Sequence, residues 1–204
     1  MNVSILVFEG ADEMDFVGPL EIFRRAARLT AMEVRLVTLT PCAQVMAAYG
    51  LRVVPDGVLE GVPDLVIVPG GGYAGGAARG IRYEIDHTGL AARLDGLHAR
   101  GSLLAGVCTG AMALAASGLL KNRGAVTHRA AMADLCASGA MVVEARVVDD
   151  GDLVTCGGVT SSLDLALHLV SRFCGPLVAA QIALGMEYTP STDVVIAPRT
   201  EGAS

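Results

Sequence analysis

The sequence predicts a three-layer, doubly wound α/β sandwich with a mostly parallel central sheet. Three observations lead there. Residues 3–8 (VSILVF), 64–69 (DLVIVP) and 102–107 (SLLAGV) are short runs that are apolar throughout or nearly so, as strands buried on both faces are. Segments of helical spacing alternate with these runs, which argues strand–helix units rather than hairpins. At Gly106-x-Cys108-x-Gly110 a strand gives way to a helix, the nucleophile-elbow pattern with cysteine in the serine position.

Taken in order, residues 3–8 form a central strand and residues 9–13 the turn after it. Residues 14–25 form a helix with Phe16, Leu20 and Phe23 on one face and Pro19 placed in a first turn, where its missing N–H costs nothing. Residues 33–38 alternate as a strand, and residues 51–55 read as a short edge strand. Residues 64–69 open into the glycine loop 70–76 (GGGYAGG), and a single helix over about 85–100 leads to the strand at 102–107. The helix after Cys108 ends near Gly118. A strand at 124–128 and a short helix at 130–137 follow. Residues 141–148 and 153–156 pair as a hairpin around the Asp-Asp-Gly-Asp turn at 149–152. A long helix runs to about Phe173, with Thr160 or Ser161 as N-cap, and a last helix covers 176–186. The expected organisation is one domain over residues 1–190 and a tail, 191–204, that frays or wraps the surface.

Composition narrows the functional classes. The chain has 204 residues, 52% hydrophobic, with 18% charged residues and a formal net charge of −6. No basic run marks a phosphate-backbone partner, so no nucleic acid is expected. No apolar run approaches a membrane span, and the chain enters a strand directly after Met1-Asn2, so a cytoplasmic, membrane-free protein is expected. The five cysteines are scattered and lack a CxxC pair, which points to neither disulfides nor a metal site. Gly70-x-Gly72-x-x-Gly75 matches the dinucleotide fingerprint only formally, because glycines continue to Gly80 and no clean helix follows. No cofactor is expected; the partner is a small-molecule substrate.

The elbow makes Cys108 the candidate nucleophile, and a helix N-terminus there would favour its thiolate; the alternative is a buried filler residue. Asp15 stands just past the first strand, at the same sheet edge. Desolvated by Phe16 and Leu20, its carboxyl would have a raised pKa and act as acid or base; equally, it would serve as the helix N-cap. The Gly71 and Gly72 N–H groups, with that of Thr109, are candidates for an oxyanion site, the alternative being a flexible turn. His128 is the one histidine placed to border the site, with Arg129, Val159 and Thr160 on the same rim. His87 and His98 read as solvated and His168 as a packing residue.

Asp15-Phe16-Val17-Gly18-Pro19-Leu20-Glu21, the Val68-Pro69-Gly70-Gly71 loop, Val107-Cys108-Thr109-Gly110-Ala111, Thr127-His128 and Gly157-Gly158-Val159-Thr160-x-x-x-Asp164 together resemble the ThiJ/PfpI superfamily, of the class I glutamine amidotransferase-like, flavodoxin-like fold. The Asp-x-x-Gly-Pro start with Cys-Thr-Gly is similar to the isocyanide hydratase branch and to the amidotransferase-like domains of AraC-type regulators; with the sequence ending at Ser204, the regulators' helix-turn-helix domain is not expected here. The resemblance implies that Cys108 attacks an isocyanide carbon, Asp15 moves the proton and Thr109 orients the reacting group. It also implies a homodimer with the site near the subunit boundary. Two departures bear on the pocket: Arg129 stands where those hydratases have an aromatic, and the Tyr73–Gly80 stretch lengthens the glycine loop. Two other readings stand beside the hydratase, a redox- or ligand-sensing protein and a glyoxalase-like or deglycating enzyme.

Overall fold

The first strand, β1 (Asn2–Leu6), lies inside the sheet because Val3, Ile5 and Leu6 are buried on both of its faces. It leads to α1 (Glu13–Ala27), capped by Asp12, whose side chain accepts the Met14 N–H. Phe16, Ile22, Phe23 and Ala26 form the buried stripe of α1. Pro19 sits inside this helix rather than in its first turn, so its missing N–H leaves one carbonyl of the preceding turn without an intrahelical partner. Here the helix meets its neighbour closely. A Cβ on Gly18 would lie 2.8 Å from Ser162 Oγ, and Ser162 Oγ donates to the Met14 carbonyl.

After β2 (Glu33–Thr38) come β3 (Val45–Met46), β4 (Arg52–Val53) and β5 (Gly57–Val58). The stretch expected as an edge strand at 51–55 instead pairs antiparallel with β3, outside the main sheet. Carboxylates explain the displacement. Glu9 accepts the Met46 N–H, and Glu13 accepts those of Tyr49 and Leu51, pinning the ribbon to the start of α1. The sheet edge is β5.

Next are β6 (Leu65–Val68), α2 (Ile81–His87), α3 (Leu90–His98) and β7 (Leu103–Val107). The single helix expected over 85–100 is two, broken at Gly89, whose φ of 73° is left-handed. A 3₁₀ turn over Cys108–Gly110 precedes α4 (Ala111–Ala116), and Gly118 ends it with φ 80°. The parallel ribbon of β8 (Gly124–Ala125) and β9 (Met141–Val142) encloses α5 (Met132–Ala137). Of the hairpin expected over 141–148 and 153–156, β10 (Val147–Asp149) and β11 (Leu153–Cys156) pair as such, while residues 141–142 belong to β9 beside β8. Last come α6 (Ser161–Cys174), α7 (Pro176–Gly185) and β12 (Val194–Ile196).

The sheet order is β12-β10-β11-β7-β6-β1-β2-β5. All neighbours are parallel except β10 and β11. Helices α1, α6 and α7 pack together, as do α2, α3 and α4, and the two groups flank the sheet. This is the α/β architecture with a mostly parallel central sheet that the sequence predicts. The computed structural model describes residues 1–197. Within them, the segment expected to fray from Ser191 supplies β12, paired to β10; residues 198–204 lie outside the described part. No helix of the described residues is long and apolar enough to cross a membrane.

Candidate active site

The elbow is built by contact, not by propensity. Cys108 has φ 55°, a left-handed conformation uncommon outside glycine. A Cβ on Gly106 would lie 2.7 Å from Ala111 Cα, and one on Gly110 would overlap the Val68 carbonyl of the neighbouring strand. Both flanking glycines are therefore sterically required. Thr127 Oγ1 donates to the Cys108 carbonyl at 2.8 Å, and the Cys108 N–H donates to the Gly157 carbonyl at 3.2 Å. The nucleophile is thus fixed from β7, from the segment after β8 and from the segment after β11.

Asp15 joins it from α1. Because Asp12 is the N-cap, the Asp15 carboxyl is released from capping and is completely buried. Its Oδ2 accepts the Gly70 N–H at 2.9 Å, while Oδ1 has no hydrogen-bond partner. Burial first, then the charge of Asp12, pushes its pKa up to about 7, although the Gly70 N–H and the Cys108 thiol both favour the carboxylate. Burial also dominates at Cys108 and, with the Asp15 charge beside it, pushes the thiol up to about 12. This reverses the expectation of a thiolate favoured by a helix N-terminus. The α-helix begins only at Ala111 and is six residues long, too remote and too short to offset desolvation.

Of the expected main-chain donors, Thr109 stands beside the Cys108 sulfur. The N–H groups interacting with the Cys108 sulfur are those of Val159 and Thr109. Val159 is held at φ 47°, a genuine outlier for a β-branched residue. The Gly71 N–H donates to Thr109 Oγ1 at 3.1 Å, and Gly72 packs so tightly on Arg79–Gly80 that a Cβ there would overlap the Arg79 carbonyl. In this structure Gly71 positions the threonine and Gly72 shapes the loop. Tyr73 extends that loop towards α5, its hydroxyl 3.1 Å from Asp134 and the Arg82 guanidinium stacked on its ring.

A cavity of about 1020 Å³ abuts the elbow, lined among others by Thr127, His128, Arg129, Arg146, Gly158 and Val159. The His128 ring packs so closely on Gly158 that no Cβ would fit there. Thr160, also expected on this rim, is exposed and accepts a hydrogen bond from Arg146, and its side chain makes no cap to α6. Of the other histidines, His98 pairs with Asp152 and His87 with the Tyr83 carbonyl. His168 is not a packing residue: its Nε2 lies 2.6 Å from Asp149, which also binds Arg172. All five cysteines are free thiols. Among the described residues, no three His, Cys, Asp or Glu side chains gather as metal ligands do.

The model of the DJ-1/PfpI family matches residues 1–172. The chain belongs to the DJ-1/PfpI family. It is 34% identical to isonitrile hydratase from Pseudomonas putida over 195 residues, which is 94% of this chain and 80% of that one. It is 31% identical to the HTH-type transcriptional regulator GbdR of Pseudomonas aeruginosa, covering 89% of this chain and 49% of the regulator. Among solved structures, a ThiJ/PfpI family protein from Pseudomonas syringae superposes with TM-score 0.82 at 28% identity, covering 99% of this chain and 78% of that one.

In this DJ-1/PfpI chain the elbow, the buried acid and the threonine come together as the sequence suggests. Sequence reasoning missed one participant, Asp12, and the roles of two residues it names, Val159 and Thr127. Asp12 could have been found, since an acid three residues before another acid at a helix start is close to a capping-box signature. The backbone donor of Val159 and the Cys108 anchor of Thr127 carry no side-chain pattern that announces them.

Proposed function

We propose that this chain is a cysteine-dependent hydro-lyase that adds water to a small electrophilic carbon, in the first instance converting an isocyanide to an N-substituted formamide. The observation that carries the proposal is the pairing of Cys108 with a buried carboxyl that has one unpartnered oxygen and a pKa near neutrality. The likeness to an isonitrile hydratase supports the same reading.

With the thiol at about 12 and Asp15 at about 7, the resting pair near neutral pH is a thiol beside a carboxyl that is partly ionised. The Asp15 carboxylate takes the S–H proton as sulfur bonds to the terminal isocyanide carbon, and returns it to that carbon, giving a thioimidate. Water then attacks the same carbon and its proton passes through Asp15 to nitrogen. The C–S bond then breaks as the remaining hydroxyl proton passes through Asp15 to sulfur, which restores the thiol, and the formamide leaves. The Thr109 hydroxyl, positioned by Gly71, orients the reacting group, and the Val159 and Thr109 N–H groups stabilise charge at sulfur.

The test is turnover of cyclohexyl isocyanide, following the formamide, by wild type beside Cys108→Ala and Asp15→Ala. Turnover is expected to vanish with the cysteine and to fall about 10²- to 10⁴-fold without the acid–base group. The wild-type rate should rise as pH increases through about 7, the pKa of Asp15. Turnover that survives loss of Cys108 sinks the proposal. Lactate formed from methylglyoxal, with no formamide from the isocyanide, would favour a glyoxalase-like enzyme instead. A homodimer is proposed as well: Met46, Tyr49 and Val54 are exposed on and beside the β3–β4 ribbon, and a molar mass by light scattering checks it.

A further inference from the structure

The cavity beside the elbow has a polarity that the hydratase reading leaves unused. Its lining includes Thr127, whose hydroxyl donates to the Cys108 carbonyl, and Val159, whose N–H interacts with the Cys108 sulfur, so the cavity lies directly beside the elbow. His128 and Arg129 follow Thr127 directly. His128 Nδ1 accepts the Ala130 N–H at 3.1 Å, so in the neutral ring Nε2 carries the proton, and the ring faces the cavity as a donor.

Arg129 is exposed and lines the same space. Among the described residues its guanidinium makes no ion pair. Arg146, the other cation of the lining, is committed: its Nε donates to the buried Asp164 at 2.7 Å and its Nη2 to Thr160. The acids of the lining are Glu144 and Asp193. Both are exposed, and Asp193 already accepts the Arg146 backbone N–H at 3.0 Å. The Asp12 carboxylate also lies near His128, so the uncommitted cation at this end is Arg129, with the His128 N–H beside it. A guanidinium fork with an N–H beside it suits a planar oxyanion.

We propose that His128 and Arg129 form a subsite for a substrate carboxylate, so that the preferred isocyanide carries one. This rests on the hydratase reading for the word isocyanide, but not for the anion. Isocyanoacetate and its ethyl ester present the same reacting carbon with and without the charge. In wild type, kcat/KM should favour the acid over the ester, mostly through KM. Arg129→Met should lower that preference about tenfold, and Arg129→Lys should restore part of it. A wild type without preference for the acid, or a preference untouched in Arg129→Met, overturns the proposal while leaving the hydratase intact.

Should neither compound be consumed, the hydratase reading fails and calorimetry decides the subsite separately. N-formylglycine should bind wild type more tightly than its ethyl ester does, with the difference reduced in Arg129→Met. Equal binding of acid and ester, or no binding of the acid, overturns the subsite.

Discussion

The two ends of the sheet treat a buried aspartate in opposite ways. At the elbow end, Asp15 is completely buried with one oxygen unpartnered, and its pKa is driven up to about 7. At the opposite end, in the last position of β10, Asp149 is also buried. Desolvation pushes it up too, but the hydrogen bond from His168, the Gly151 N–H and the charge of Arg172 outweigh that and hold it below its ordinary value. One carboxylate is satisfied and therefore structural. The other is left wanting a proton, which is what a proton-transfer group needs. Burial alone does not separate function from architecture in this protein; the completeness of the partners does.

The comparison can be broken most severely at the elbow. Gly110→Ala places a methyl on the Val68 carbonyl and is expected to cost more than about 4 kcal/mol, seen as loss of the folded protein in a thermal melt. Next is Asp15→Asn, which keeps an acceptor for the Gly70 N–H. Because the folded pKa of about 7 exceeds the ordinary value of 3.8, this group supports folding fully below about pH 4, and that support is lost as pH rises to 7. The asparagine variant should therefore be more stable than wild type at pH 8, by up to roughly 4 kcal/mol, while turnover collapses. Equal stability of the two at pH 8 would remove the idea of a destabilised acid.

Asp149→Asn should act the other way. It is expected to lose about 2 kcal/mol, or roughly 4–8 °C in Tm, with turnover retained. The Asp149 pKa is lowered from 3.8, so its stabilisation is present above that value and is lost as pH falls below it; the gap between variant and wild type should close in acid. The smallest effect is His168→Gln, which retains a donor for Asp149 and should cost less than about 1 kcal/mol in urea titration. A loss as large as that of Asp149→Asn would mean that the histidine, and not Arg172, dominates the pairing.

What the sequence makes legible follows from where the physics is local. The strands β1, β6 and β7 stand out because burial on both faces demands uninterrupted apolar residues. Cys108 stands out because two required glycines flank it. The β3–β4 ribbon is hidden, since what holds it is a pair of carboxylates at Glu9 and Glu13, far away in the chain. The break at Gly89 shows in the sequence only as a slip of phase: Leu90, Leu94 and Leu97 share one helical face, and Ile85, five residues before Leu90, does not. At β12 the mixed polarity that suggested a tail is that of an edge strand, half exposed along its length. At the site, Asp15 and Thr109 are readable as side chains. The thiol's raised pKa is not, because desolvation is a property of everything packed around it.

Val159 carries a consequence of its own. A β-branched residue at φ 47° holds its amide towards the Cys108 sulfur, at a strain of order 1–3 kcal/mol. The partner of the sulfur is thus specified by chain path and not by side-chain identity. Substitution at this position can change how firmly the amide is aimed without changing what is aimed, so residue 159 is a place where the reactivity of the thiol can be graded by small steps while the chemistry stays the same.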